Sequence, residues 1–227
     1  MLMSARGACR PGKFRYLAAV AWYCVVLTPY AFADGTVQGT VALEPFRPAL
    51  LPPGYRPKTR KPVEQPDPPL AVVYLEREAG DYQRTPPERG GSVAQQGYQF
   101  RPGVSAVRRG TRITFPNRDD EFHSVFSFSP AKRFDLGRYR KDETAPPITF
   151  DQPGLVKVYC DIHKHMRALV LVLDTPWFTQ TDAAGAFKLA DVPAGAYRLK
   201  AFLASERVLE TRVHVEDGKV TRATLPP

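Results

Sequence analysis

Residues 153–173 read PGLVKVYCDIHKHMRALVLVL. A Pro153-Gly154 turn opens the run, Leu155 to Tyr159 follows as a strand with Val156 and Val158 on one face, and Ala168 to Leu173 makes a second strand. Between the strands, Cys160, His163 and Met166 fall at C-x2-H-x2-M spacing. A loop that short, pinned at both ends, projects all three side chains toward one point.

The pattern around this run has the same strand character. From Gly97 it gives Tyr98 to Phe100, Val104 to Val107, a turn at Gly110, Arg112 to Phe115, a polar turn at Asn117 to Glu121, and Phe122 to Phe128. A looser stretch, Ser129 to Pro147, precedes Ile148 to Phe150. Strands recurring every 8–12 residues between Gly, Pro, Asn and Asp turns predict an all-β sandwich or barrel, and no segment carries a sustained helical stripe. Downstream, Trp177 to Thr181, Phe187 to Leu189, Tyr197 to Leu203 and Val208 to Val215 predict a small antiparallel module. Upstream, Thr36 to Leu43 and Leu70 to Glu76 are two more strands. Between them Pro45 to Pro69 holds nine prolines in 25 residues, an extended excursion that is neither helix nor central strand. A second breaker-rich stretch runs from Gly80 to Gly91.

The chain begins as an export signal would. Arg6, Arg10, Lys13 and Arg15 precede an uncharged run, Tyr16 to Ala33, that ends Ala31-Phe32-Ala33 before Asp34. This predicts cleavage after residue 33, a periplasmic or secreted product, and no membrane span once the leader is gone. Removing four basic residues and no acidic one lowers the formal charge from +9 to +5. The remaining Lys and Arg are dispersed among Pro and acidic residues, so a nucleic-acid partner is not expected. Of the three cysteines, Cys9 and Cys24 leave with the signal. Cys160 then has no intramolecular disulfide partner in an oxidising compartment, and is a free thiol, an intermolecular bridge or a metal ligand.

Thiolate, imidazole and thioether are soft or borderline ligands, and two His with one Cys in a trigonal plane plus a weak axial Met suits copper. The second imidazole is not in the loop. His123, in Asp119-Asp120-Glu121-Phe122-His123-Ser124-Val125, stands 37 residues upstream of Cys160 at the edge of another strand. A lone buried Cys is ordinarily a small hydrophobe, but here ligand type, order, spacing and strand context agree. His165 is expected at the rim, facing solvent rather than ligating, and His214, between Val213 and Val215, is expected to be an exposed strand histidine.

Residues 92–174 resemble a cupredoxin, the type 1 or blue copper domain, on three features. These are ITFPNRDDEFHSVFS at 113–127, the PG-x-V-x-V-Y-C run, and the C-x2-H-x2-M loop, whose length resembles that of amicyanin. The resemblance implies a Greek-key sandwich holding one type 1 copper, with His123 and His163 as imidazole donors, Cys160 as thiolate and Met166 as axial thioether. It also implies that the edge of His163 is the electron port, ringed by Lys164, His165 and Arg167, which would favour an acidic redox partner. The chain departs from the pattern at Ser124, where many members carry Asn and rusticyanin-type proteins carry Ser, and at Asp161-Ile162, where a Pro is often found.

TQTDAAGAFKLADVPAGAYRL, residues 179–199, resembles the T-D-x-x-G-x-F-x-L-x-x-V-P-x-G-x-Y-x-L pattern of the carboxypeptidase-regulatory-like, or transthyretin-like, β-sandwich. It implies a structural or interaction module at 176–227. The strands within 34–91 either open that module, with the cupredoxin inserted into it, or complete the cupredoxin sheet. The combination resembles periplasmic proteins grouped as methylamine-utilisation-like. Electron transport is the expected function, with copper binding or delivery without redox turnover as the alternative. An enzyme is not expected: beyond His123 and His163 only His165 and His214 remain, too few for further copper centres, and no catalytic triad, phosphate loop or spaced carboxylate pair stands out.

Overall fold

The computed structural model describes residues 34–45, 62–68, 70–78, 82, 90–141, 143 and 145–226. The expected leader, most of the proline excursion and most of residues 80–91 lie outside the described residues. Two strands come first, β1 (Gly35–Val41) and β2 (Val72–Arg77). A central block follows: β3 (Gly91–Ser92), β4 (Ala94–Gln96), β5 (Gln99–Arg101), β6 (Val104–Arg108), β7 (Thr111–Thr114), β8 (His123–Ser129), β9 (Lys132–Tyr139), β10 (Ile148–Phe150), β11 (Gly154–Tyr159) and β12 (Arg167–Leu173). The last five are β13 (Phe178–Gln180), β14 (Ala186–Val192), β15 (Gly195–Phe202), β16 (Val208–Val215) and β17 (Val220–Leu225). The protein is all-β. Among the described residues no helix is long and apolar enough to cross a membrane.

The central block forms a five-stranded sheet, β6-β12-β11-β8-β9, a three-stranded sheet, β10-β7-β3, and a β4-β5 hairpin. The first and last strands form a three-stranded sheet, β14-β1-β17, and a four-stranded sheet, β13-β2-β15-β16. The N-terminal strands therefore pair with the C-terminal ones, and the central block is inserted between β2 and β13, which are themselves antiparallel neighbours at Tyr74 and Phe178. The N-terminal strands thus do not complete the sheets of the central block. β1 runs parallel to β17 with Gly39 opposite Ala223. A Cβ at Gly39 would lie 1.6 Å from the Ala223 carbonyl oxygen, so only glycine permits this approach.

Strand β12 explains how the two sandwiches join. Ala168, Val170 and Val172 enter one core with Val125, Phe150, Val156, Val158, Cys160 and Met166. On the opposite face Leu169, Leu171 and Leu173 pack with Val72, Tyr74 and Phe202 from β2 and β15. A strand buried on both faces reads as a continuous apolar run rather than an alternation, which is the ALVLVL of residues 168–173. β2 behaves likewise, sending Val73 and Leu75 into a third core with Val37, Leu189, Tyr197 and Leu225. Each fully buried aliphatic side chain contributes about 1.5–3 kcal/mol relative to exposure, so the β12–β2 layer is a closely packed apolar interface.

Two strands depart from expectation. β9 occupies part of the stretch read as loose: it is an edge strand whose outward Arg133, Asp135 and Arg138 mask the inward Phe134 and Leu136. β17 was hidden because only Leu225 of its residues is fully buried. Tyr98, expected to open a strand, instead lies in the turn between β4 and β5 with φ of 60°.

Candidate metal centre

Strand pairing brings the parts of the site together. Tyr159 of β11 is paired with Phe126 of β8, so the residue after β11, Cys160, lies beside the start of β8. There the Ser124 backbone N–H donates to Cys160 Sγ at 3.5 Å. His123 is the first residue of β8, delivered by a turn that Asn117 holds closed. The Asn117 amide donates to the Glu121 and Tyr139 carbonyls at 2.8 and 2.9 Å, while its oxygen accepts the Asp119 N–H at 2.9 Å. After Cys160 the chain turns once, with the Met166 N–H donating to the His163 carbonyl at 2.8 Å before β12 begins.

Three donor atoms converge. His123 Nδ1 and His163 Nδ1 lie 3.0 Å apart, and each is 3.9 Å from Cys160 Sγ. His123 is fully buried, and Cys160 and His163 are each 3% exposed. An ion in the plane of such a set, at metal–nitrogen distances near 2.0 Å and a metal–sulfur distance near 2.3 Å, calls for nitrogens roughly 3.5 Å apart and nitrogen–sulfur separations of roughly 3.7 Å. The residues present match this within about 0.5 Å. Among the described residues this is the group of His, Cys and carboxylate side chains arranged to hold a metal ion. Met166 is fully buried in the same core cluster as Cys160.

The electrostatics favour the thiolate, the ligating form of Cys160. Burial pushes the Cys160 thiol up, but hydrogen bonds from His123 and His163 and from the Ser124 and His163 backbone outweigh it, bringing the pKa from 9.0 to about 5. Burial lowers the His123 pKa, and the hydrogen bond to Asp119 together with Cys160 reverses the balance so that the net shift is upward. Asp119, in turn, is pushed up by burial and held below its ordinary value by His123 and the Tyr98 and Gly97 N–H groups. Its Oδ2 sits 2.9 Å from His123 Nε2. The Asp119 hydrogen bond keeps a proton on Nε2, so a metal that displaces the Nδ1 proton would meet the Nδ1 lone pair facing Cys160 and His163.

A second chain of polar contacts runs from the thiol to the surface. Ser124 Oγ donates to Asp161 Oδ1 at 2.6 Å and accepts the Asp161 N–H at 2.8 Å. Arg138, opposite Ser124 on β9, donates to Asp161 Oδ2 at 2.7 and 3.3 Å.

Two expectations about the rim change. The His163 ring is not exposed: Tyr98 stands edge-on against it, with centroids 5.3 Å apart, and against His123 at 5.8 Å. His165 is half-buried rather than solvent-facing. Its Nε2 bonds to the Tyr98 carbonyl oxygen at 3.0 Å, and burial holds its pKa below the ordinary value, so it adds no charge to the rim at neutral pH. It also stands outside the three-residue donor group. Lys164 and Arg167 are exposed, and so is His214, as expected. Asp119 and Tyr98 were not singled out from sequence. Asp119 sits four residues before His123, and this spacing is the one local signal that could have found it.

No family model matches the chain, and no curated protein matches it. Among solved structures, a purple cupredoxin from Nitrosopumilus maritimus is 20% identical over 37% of this chain and 99% of its own, with a TM-score of 0.33. A reduced amicyanin carrying a single substitution is 20% identical over 44% of this chain and 98% of its own, with a TM-score of 0.35. A copper-containing nitrite reductase from Thermus scotoductus SA-01 is 22% identical over 60% of this chain and 28% of its own, also with a TM-score of 0.35.

Proposed function

We propose that this chain is a periplasmic or secreted type 1 copper protein that carries single electrons between redox partners. The observation that carries the reading is the donor triangle: one low-pKa thiol and two imidazole nitrogens, 3.0 to 3.9 Å apart and closed off from solvent. That soft set is the one copper prefers, with Met166 as the fourth, weaker donor. Bound there, copper supplies a one-electron couple.

The chain's own residues do the rest. Asp119 fixes the tautomer and the ring orientation of His123. The Ser124 N–H donates to the thiolate sulfur, drawing charge from it. Strands β8, β11 and β12 hold all four side chains in a packed core, so the donors shift little when charge is added or removed. Burial keeps water away from the three donors. Lys164 within the loop and Arg167 at its end, both exposed, favour an acidic partner. The leader-like residues 1–33 support export.

The test is to load the protein with Cu(II) and record visible absorption and electron paramagnetic resonance. An intense thiolate-to-copper band with small parallel hyperfine coupling is expected. A pale, ordinary square-planar spectrum would sink the electron-carrier reading and leave copper binding or delivery.

A further inference from the structure

The turn at Gly97–Tyr98 is held more firmly than a two-residue hairpin loop requires. The two N–H groups donate to the two oxygens of Asp119, Gly97 at 2.8 Å and Tyr98 at 3.0 Å. The Gly97 carbonyl accepts the Glu64 N–H at 3.0 Å, and the Tyr98 carbonyl accepts His165 Nε2 at 3.0 Å. All four backbone polar groups of the turn are thus tied to elements outside the β4-β5 hairpin, and three of the ties are to Asp119 and His165, which contact His123 and His163.

This anchoring holds a residue in an unfavourable backbone region. Tyr98 has φ of 60°, a left-handed conformation that Gly and Asn adopt readily and a bulky aromatic does not. Such strain persists only where surrounding contacts over-determine it, and it concentrates at functional positions. The strain places the Tyr98 ring edge-on to both imidazoles, 73° from the plane of His163 and 75° from that of His123, with the residue 3% exposed. On the other side of the turn, the Glu64 side chain lies so close to Gly97 that a Cβ there would come within 2.2 Å of its Cδ. Val63 of the same segment packs against the core cluster that contains Tyr98.

We propose that Tyr98 is a shield that closes the donor set to exogenous small ligands and so confines it to outer-sphere electron exchange. A thiol and two imidazoles leave a metal site with open faces unless protein covers them. Met166 is buried in the same core cluster as Cys160 and Tyr98, and among the described residues Tyr98 is the phenol ring in contact with both imidazoles. The half-buried His165 is a further ring neighbour of His163, with centroids 6.1 Å apart. The inference rests on the copper reading for its consequence, but the shielding itself is a property of the metal-free protein.

The experiment has an arm for each. In the metal-free full-length chain, the rate at which iodoacetamide modifies Cys160 is followed by peptide mass for wild type, Tyr98→Phe, Tyr98→Gly and Tyr98→Asn. Gly and Asn suit the left-handed backbone, so loss of the ring is not confounded by added strain. Tyr98→Gly and Tyr98→Asn are expected to react roughly tenfold faster or more, as rare local opening gives way to direct access. Tyr98→Phe should match wild type. In the copper-loaded proteins, azide should leave the wild-type and Tyr98→Phe spectra unchanged and add a new charge-transfer band in the Gly and Asn variants. An azide band in the wild type overturns the proposal with no variant needed, and so does unchanged alkylation in both ring-deleted variants. Absence of a blue band in the loaded wild type refutes the copper reading alone, and the alkylation rates then decide the shield.

Discussion

The Asp119 carboxylate bonds to the far nitrogen of His123 at 2.9 Å while its two oxygens also accept the N–H groups of Gly97 and Tyr98. One side chain therefore sets the tautomer of a candidate ligand and anchors the turn that covers it. Its charge also lies one imidazole away from the donor centre. Negative charge placed there favours the oxidised, more positive state of a bound metal.

Asp119→Asn keeps a hydrogen-bond acceptor and removes the charge. Loss of a partner of this kind typically weakens metal affinity roughly 10–100-fold. A competitive copper titration against a chelator should show that loss, and protein-film voltammetry should show a higher potential. Unchanged affinity together with an unchanged potential would mean that Asp119 serves only the turn.

The four candidate donors should separate by role. Cys160→Ser is expected to abolish the intense visible band, because the band requires a thiolate. Met166→Gln is expected to retain copper and the band but to shift the potential, since a weak thioether donor would tune the couple without holding the ion. If Cys160→Ser kept the band, the thiolate assignment would be lost. If Met166→Gln failed to bind copper, Met166 would be a principal ligand instead.

Metal-free stability should depend on pH through Cys160. The unfolded thiol keeps its proton up to pH 9.0, whereas the folded thiol, raised by burial but lowered further by His123 and His163, has lost it above about pH 5. Between those values the unfolded state binds more protons, so the thiol's contribution is full above pH 9.0, shrinks as pH falls and is gone below about pH 5. His123, whose pKa is raised, acts in the opposite sense: its contribution is complete below 6.5 and is lost as pH rises through the folded value. The two titrate as a coupled pair. Urea midpoints of metal-free wild type and Cys160→Ser, measured side by side, should diverge as pH is raised from 5 toward 9. A gap that stays constant would mean that the folded thiol is not ionised in that range.

The sequence made the donor set legible because it is carried by side-chain type and by spacing along two strand ends, and strand ends are marked by Gly, Pro and Asn. His123 could be matched to the Cys160 loop because Phe122 to Phe128 and Leu155 to Tyr159 both read as strands. The shielding of His163 was not legible, since it depends on Tyr98 leaving the strand pattern. Nothing in the run Gly97-Tyr98-Gln99 announces a left-handed tyrosine, and the cause, Asp119 binding two successive N–H groups, is 21 residues away at its nearer end. β9 was missed for a related reason. On an edge strand the outward face is charged, and two inward apolar residues, Phe134 and Leu136, make a weak alternation.

The two faces of β12 give a test of whether the sandwiches fold as one. Val170 points into the core of the donor set, and its neighbour Leu171 points into the layer shared with β2 and β15. Truncating Leu171 to Ala removes three carbons from that layer and should cost about 2–5 kcal/mol, as buried Leu→Ala changes do. Val170→Ala should cost less, because it deletes fewer atoms. If the shared layer couples the sandwiches, urea unfolding followed by Trp177 fluorescence and by far-ultraviolet circular dichroism will give one coincident transition in wild type and in both variants, displaced more by Leu171→Ala. Trp177 packs beside the core formed by β1, β14 and β15, away from Val170. A Val170→Ala variant whose fluorescence transition stays at the wild-type midpoint while the circular dichroism splits into two steps would show that the sandwiches unfold independently, despite three leucines of β12 being buried between them.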